Sequence, residues 1–270
     1  MNFSVLASVY IKEDANNLDL ALKSVFSQTL MPNEVVLVKD GHLTNELEGV
    51  ISKFQKEYND VLKVIPLSKN FGLGKALNVG LDHVTNNTVA RMDTDDVCYP
   101  DRFEKQINFL MNNPEISVVG GIVQEFNKNP GDLNQFRKLP LNSEALFKFA
   151  KYRNPLSHPS VMFKKAAVLN VDSYRDMPLF EDYYLWVRML LKGYKIANIN
   201  EPILHFRIGN DMIGRRSGFS YAKKEIKFIK ALKKLGFLSQ KDFIVSILMK
   251  VPLRILPKKF LTFLYKKLLR

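Results

Sequence analysis

Four short, mostly apolar runs, separated by stretches with helical spacing, constrain the fold of this chain more than any other feature. They occupy residues 3–10, 34–38, 62–67 and 88–92. Between them, residues 18–27 set Leu18, Leu22, Val25 and Phe26 on one helical face, and 47–58 and 74–83 also read as helices. Strands that are apolar on both faces need cover on both faces, which alternating helices supply. The pattern predicts an α/β fold built on a mainly parallel sheet. Ligands of such sheets lie beyond the carboxyl ends of the strands.

Polar residues gather at those ends. Glu13 follows the first run, Asp40 the second, and Asn70 and Gly72 the third. The fourth leads into Arg91-Met92-Asp93-Thr94-Asp95-Asp96, with three carboxylates in four positions. Like charges this close repel, and a bound divalent cation reverses the sign of the interaction. Mg²⁺ and Mn²⁺ take oxygen ligands of this kind and usually hold a phosphate as well. The cluster thus predicts a metal–diphosphate site. An acidic loop in water is the competing reading.

Beyond residue 100 the text changes. Residues 102–111 read as a helix and 116–123 as a strand, followed by a polar loop with Asn127, Asn129, Pro130 and Gly131. The segments 154–163 and 179–186 come next, the second opening a helix that runs to Gly193. With 270 residues and 46% hydrophobic content the chain can bury one large core, or a core with a small appendage. One cysteine, Cys98, excludes an internal disulfide, fits a reducing compartment and reads as a small buried residue. No secretory signal opens the chain, and no run approaches the ~18 apolar residues of a spanning helix.

Taken in order, these pieces resemble the family-2 glycosyltransferases, which have the GT-A fold and use nucleotide sugars. The resemblance spans about residues 3–210. It rests on Ser8-Val9-Tyr10 with Glu13, Val38-Lys39-Asp40-Gly41, the 70–80 text Asn-Phe-Gly-Leu-Gly-Lys-Ala-Leu-Asn-Val-Gly, the 91–96 acidic text, and Glu181-Asp182. His158-Pro159-Ser160 and the text at 181–186 resemble the bacterial branch that builds O-antigen and exopolysaccharide repeats on a lipid carrier. Some of its members move galactose or glucose to a lipid-diphosphate-linked N-acetylhexosamine.

The resemblance implies roles at the matching positions. Ser8, Tyr10, Glu13 and Asp40 would line a uridine pocket, with Asn70 among the donor-binding residues. Asp93 would sit near the ribose, and Asp95 would coordinate Mn²⁺ or Mg²⁺ on the diphosphate. Asp96 would hold the donor sugar or the metal's waters. Asp182 would be the catalytic base, and Glu181 would orient the acceptor or the base. Lys39 departs from the family, which often has a second acidic residue there. Apart from any resemblance, acidic residues also favour a first helical turn because of the macrodipole.

Other residues carry two readings each. His205 completes the metal shell, as in some relatives, or is a satisfied strand-end histidine. Arg207, Arg215 and Arg216 close over the diphosphate, or are the first charges of a basic tail. His158 touches the acceptor, or fixes a loop between Pro155 and Pro159. Gly72, Gly74 and Gly80 are not a Walker cradle, and let backbone pass near the nucleotide.

The net charge of +13 is concentrated at one end. Residues 215–270 hold 16 Lys and Arg against Glu225 and Asp242, a balance of +14, whereas 1–214 hold 24 against 25. In 222–235 an apolar stripe of Ala222, Ile226, Ile229 and Leu232 runs beside Lys223, Lys227, Lys230 and Lys234. Pro257 can start a last helix with Leu261, Leu264 and Leu268. Cationic amphipathic helices of this kind lie in an anionic membrane interface, or else pack on the domain with their lysines solvated. Nucleic acid is disfavoured, because the aromatics form an apolar face and no stacking platform.

The expected organisation is a GT-A domain over 1–214, with a nucleotide-sugar half at 1–100 and an acceptor half at 101–214, then a basic amphipathic helical membrane-associating segment at 215–270. The expected activity is metal-dependent, inverting transfer of a hexose from a UDP-sugar to an undecaprenyl-diphosphate-linked N-acetylhexosamine, at the cytoplasmic face of the bacterial inner membrane. A glycoside hydrolase and a non-catalytic membrane adaptor are the rivals. The first leaves Asp40 and the 70–80 text unexplained.

Overall fold

The computed structural model describes residues 1–208 and 217–255. Four strands, β1 (Phe3–Val9), β2 (Glu34–Lys39), β3 (Leu62–Pro66) and β4 (Thr88–Asp93), pair in parallel in the order β3-β2-β1-β4. The helices between them are α1 (Ala15–Phe26), α2 (Asn45–Glu57) and α3 (Leu73–His83). The caps account for their early starts: the Asp14 side chain accepts from the N–H groups of Asn16 and Asn17, and Thr44 accepts from Leu47.

Strand residues alternate between two cores. Val5, Ala7, Val35 and Leu37 pack with α1 and α2, while Leu6, Val36 and Val38 face α3. Gly80 lets α3 seat closely, since a Cβ there would stand 2.3 Å from Leu6 Cδ1 and 2.9 Å from Val38 Cγ2. Its task, with that of Gly74 below, is helix packing and not passage of a nucleotide.

The second half extends the sheet with mixed polarity. Its elements are β5 (Val97–Cys98), α4 (Arg102–Asn112), β6 (Ile116–Phe126), β7 (Gln135–Arg137), α5 (Ser143–Phe149), β8 (Met162–Lys164), α6 (Lys165–Leu169), α7 (Glu181–Leu191) and β9 (Lys195–Arg207). β8 lies antiparallel between β4 and β6, and β9 runs parallel to β6 and returns the chain to β5 beside the acidic cluster. β9 is a long strand of which the sequence reading held only the end, at His205.

Two helices follow, α8 (Phe219–Lys234) and α9 (Gln240–Ile255). Of the α8 stripe, Ala222, Ile229 and Leu232 are buried and Ile226 is half-buried, while Phe228, outside the stripe, is also buried and stacks on Phe180 at 4.6 Å between centroids. The arginines at 215 and 216 and the helix expected from Pro257 onward lie outside the described residues.

Candidate active site

The strand order turns between β1 and β4, where a doubly wound sheet opens a crevice for ligand. Ser8 and Asp93 are register partners across that junction. Glu13 leans over the next residues, its Oε2 accepting from Thr94 Oγ1 at 3.0 Å. Tyr10 is exposed at the end of β1.

Asp40 is buried past β2, and its carboxylate oxygens accept the N–H groups of Phe71 and Gly72 at 2.7 and 3.0 Å. Gly72 has φ +87, a backbone that favours glycine. Asn70 donates to the Asp40 carbonyl at 3.3 Å. Asp40 and Asn70 therefore build the rim from which α3 starts. Lys39 turns away to pair with Glu48 at 2.5 Å.

Oxygens of Asp93, Asp95 and Asp96 lie within 4.8 Å of one another. Beneath them Arg91, 1% exposed, pairs with Asp93 while its Nε and Nη1 have no hydrogen-bond partner. Enclosure away from water, then the charges of Asp93 and Glu13, push the Asp95 carboxyl up to about 7. Burial, then Asp95 and Asp93, raise Asp96 well above the carboxylate range. The Asp96 Oδ1 accepts from the Arg207 N–H at 2.7 Å, but Oδ2 is buried without a partner. An orphaned buried carboxylate oxygen among crowded like charges fits a hard divalent cation.

The Arg207 guanidinium donates to the carbonyls of Asp95, Asn127 and Lys128, so it clips the acidic loop to the end of β9. His205 is not in the carboxylate group. Its ring stacks on Tyr99 at 4.2 Å, its Nδ1 is buried without a partner, and burial lowers its pKa. Cys98 is buried beside Met92 and Arg102.

Glu181 and Asp182 open α7. Asn154 Nδ2 donates to Asp182 Oδ2 at 2.6 Å. Glu181 sits against Gly74 of α3, where a Cβ would meet its Cγ at 3.1 Å, and partial burial raises its pKa. Burial, and after it the charges of Asp182, Asp93 and Glu181 against that of Arg91, keep the Tyr174 hydroxyl protonated. His158 Nε2 lies 2.8 Å from that hydroxyl, fixing the loop and joining it to the site.

Arg91, Asn78, Asn154 and Tyr174 carry no role in the sequence reading. Arg91 stands inside the acidic motif and is the one that could have been found there. The others act through contacts between distant segments, for which sequence spacing holds no signal.

The family model "Glycosyl transferase family 2" matches residues 4–177. The amylovoran biosynthesis glycosyltransferase AmsE of Erwinia amylovora is 40% identical, over 98% of both chains. A UDP-Gal:alpha-D-GlcNAc-diphosphoundecaprenol beta-1,3-galactosyltransferase of Escherichia coli is 37% identical, over 99% of this chain and 96% of its own. Among solved structures, the Pyrobaculum calidifontis mannosyltransferase PcManGT in complex with GDP-Man and Mn²⁺ superposes with a TM-score of 0.66 at 16% identity, over 93% of this chain and 69% of that one. S. aureus TarS 1-349 in complex with UDP-GlcNAc gives 0.66 at 18%, over 94% and 72%. The fold is GT-A.

Proposed function

This chain belongs to glycosyl transferase family 2, and from that premise we propose that it moves galactose or glucose from a UDP-sugar to an undecaprenyl-diphosphate-linked N-acetylhexosamine, inverting the anomeric centre, during O-antigen or exopolysaccharide synthesis. The observation that carries this reading is the Asp93–Asp95–Asp96 group at the β1–β4 switch point, with Asp96 Oδ2 buried and orphaned among like charges. A hydrolase needs no such nucleotide rim, and membership of the family leaves that rival without support.

Asp95 and Asp96, with Asp93, would hold Mn²⁺ or Mg²⁺. Once bound, the cation supplies positive charge for the nucleoside diphosphate as it leaves. Ser8, Tyr10, Glu13 and the Asp40–Asn70 rim receive the nucleoside, and Arg207 keeps the acidic loop in place. His205 stacks on Tyr99 with its Nδ1 buried and orphaned, outside the carboxylate group.

On the acceptor side, Asp182 takes the proton of the attacking hydroxyl as the new C–O bond forms and the bond to the diphosphate oxygen breaks. The Asn154 amide fixes the carboxylate for this task, and Glu181 orients the acceptor. One base with in-line displacement inverts configuration. No helix among the described residues is long and apolar enough to cross a membrane, so the reading has the enzyme bind the cytoplasmic face of the inner membrane peripherally through its basic C-terminal segment.

The test is UDP release by purified protein with Mn²⁺, a UDP-hexose and a synthetic lipid-diphosphate N-acetylhexosamine. Asp182→Asn should lower kcat by roughly 10²–10⁴. Undiminished transfer by that variant would sink the assignment of the base, and an inactive wild type that still binds membranes would favour the adaptor.

A further inference from the structure

The loop between α6 and α7 carries three non-glycine residues in left-handed backbone: Asp172 (φ 58), Ser173 (φ 49) and Leu179 (φ 75). Such a conformation is unfavourable and persists only where the surroundings enforce it. Around Asp172 and Ser173 they do so from both sides. From α7, Arg188 donates to the carbonyls of Val171 and Ser173. From α3, Asn78 accepts the Tyr174 N–H at 3.0 Å and donates to the Tyr174 carbonyl at 2.7 Å. The Tyr174 hydroxyl then meets His158.

Asn78 lies four residues beyond Gly74, so both occupy one face of α3. That face meets Tyr174 through an amide clip and Glu181 through a glycine notch. The same helix begins at Gly72, whose N–H is held by Asp40. A rigid element thus connects the donor rim to the loop that presents Asp182. Long-range placement of this kind can govern rate without touching substrate, because a small misplacement of a base lowers the population of reactive geometries.

We propose that Asn78, Tyr174 and His158 are positioning residues for the transfer step, holding the 171–180 loop so that Asp182 faces the donor-side carboxylates. The proposal rests on Asp182 being the base, and it assigns these three no contact with the reacting atoms.

Tyr174→Phe tests it cleanly, since the variant keeps the ring and both bonds to Asn78 and loses only the bond to His158. Tyr174→Phe and His158→Ala should each lower kcat roughly ten- to hundredfold with KM for the UDP-sugar unchanged, and His158→Ala, which removes a ring packed on Trp186, should also lower the melting temperature. His158→Gln, which can still hydrogen-bond the hydroxyl, should recover most of the loss. Wild-type kcat in Tyr174→Phe, or a loss confined to donor KM, overturns the proposal. A second measurement does not depend on turnover: amide exchange across 171–182 should accelerate in Asn78→Ala, and unchanged protection would count equally against the clamp. An inactive wild type would remove the assigned function, while the exchange result would still decide whether the loop is clamped.

Discussion

Arg91 is a full positive charge enclosed in protein, and a lone buried ion would be costly. Its compensation is the field of Asp93, with Asp96 behind it. Burial first, and then the excess of three carboxylates and Glu13 over one guanidinium, push the Asp95 carboxyl up to about 7 and raise Asp96 well above the carboxylate range. A cation needs these groups deprotonated, so it competes with protons. Above about pH 7 Asp95 is charged and ready, and as pH falls below that value each displaced proton costs affinity. Calorimetric Mn²⁺ titrations should therefore give distinctly weaker binding at pH 6 than at pH 8, and Asp95→Asn should remove saturable binding. Equal affinity at both pH values would contradict this account. At this scale the acidic cluster was legible because its charges are contiguous in the chain, whereas Asp182 stood out only through the family resemblance. Tyr174 was not legible, since its partners Asn78 and His158 stand 96 and 16 positions away.

Among the elements, α3 has the most to lose from a single methyl group. Gly80→Ala would drive a Cβ into Leu6 and Val38 on the sheet, and over-packing of a filled core costs about 1–3 kcal/mol. Thermal unfolding should fall by roughly 2–4 °C for each kcal/mol lost, whereas an unaltered melting temperature would mean that α3 can lift away. The parallel strands were readable because each is a continuous apolar run covered on both sides. β9 was not: Asn198, Asn200, Glu201 and Pro202 interrupt it, and register shifts between β6 and β9 disturb its alternation. The α8 stripe was legible as a face, but a face does not name its partner. Aromatic packing of Phe228 on Phe180 and Tyr183 turned it inward.

For the molecule as a whole, the charge asymmetry seen in the sequence becomes a surface. The acidic residues of 217–255 point inward: Glu225 pairs with Arg254 at 2.7 Å, and Asp242 meets Lys151, Tyr152 and Ser239. α8 offers positive charge outward through Lys223, Lys224, Lys227, Lys230 and Lys234, and α9 offers Lys241 together with Ile244, Leu248 and Met249, which are 47%, 67% and 60% exposed. Each basic residue near anionic headgroups contributes on the order of 1 kcal/mol. In co-sedimentation the protein should bind vesicles rich in phosphatidylglycerol, release them in high salt and ignore phosphatidylcholine. Leu248→Glu should weaken the binding severalfold, and indifference to lipid charge would refute the membrane role. The helix shared by donor rim and base loop has a different consequence, for engineering. A nucleotide pocket grafted from another enzyme by exchanging only the Asn70–Gly72 turn would arrive on a foreign buttress. Such a chimaera would recognise its new donor yet turn over poorly until α3 and its partner loop were transplanted as one block.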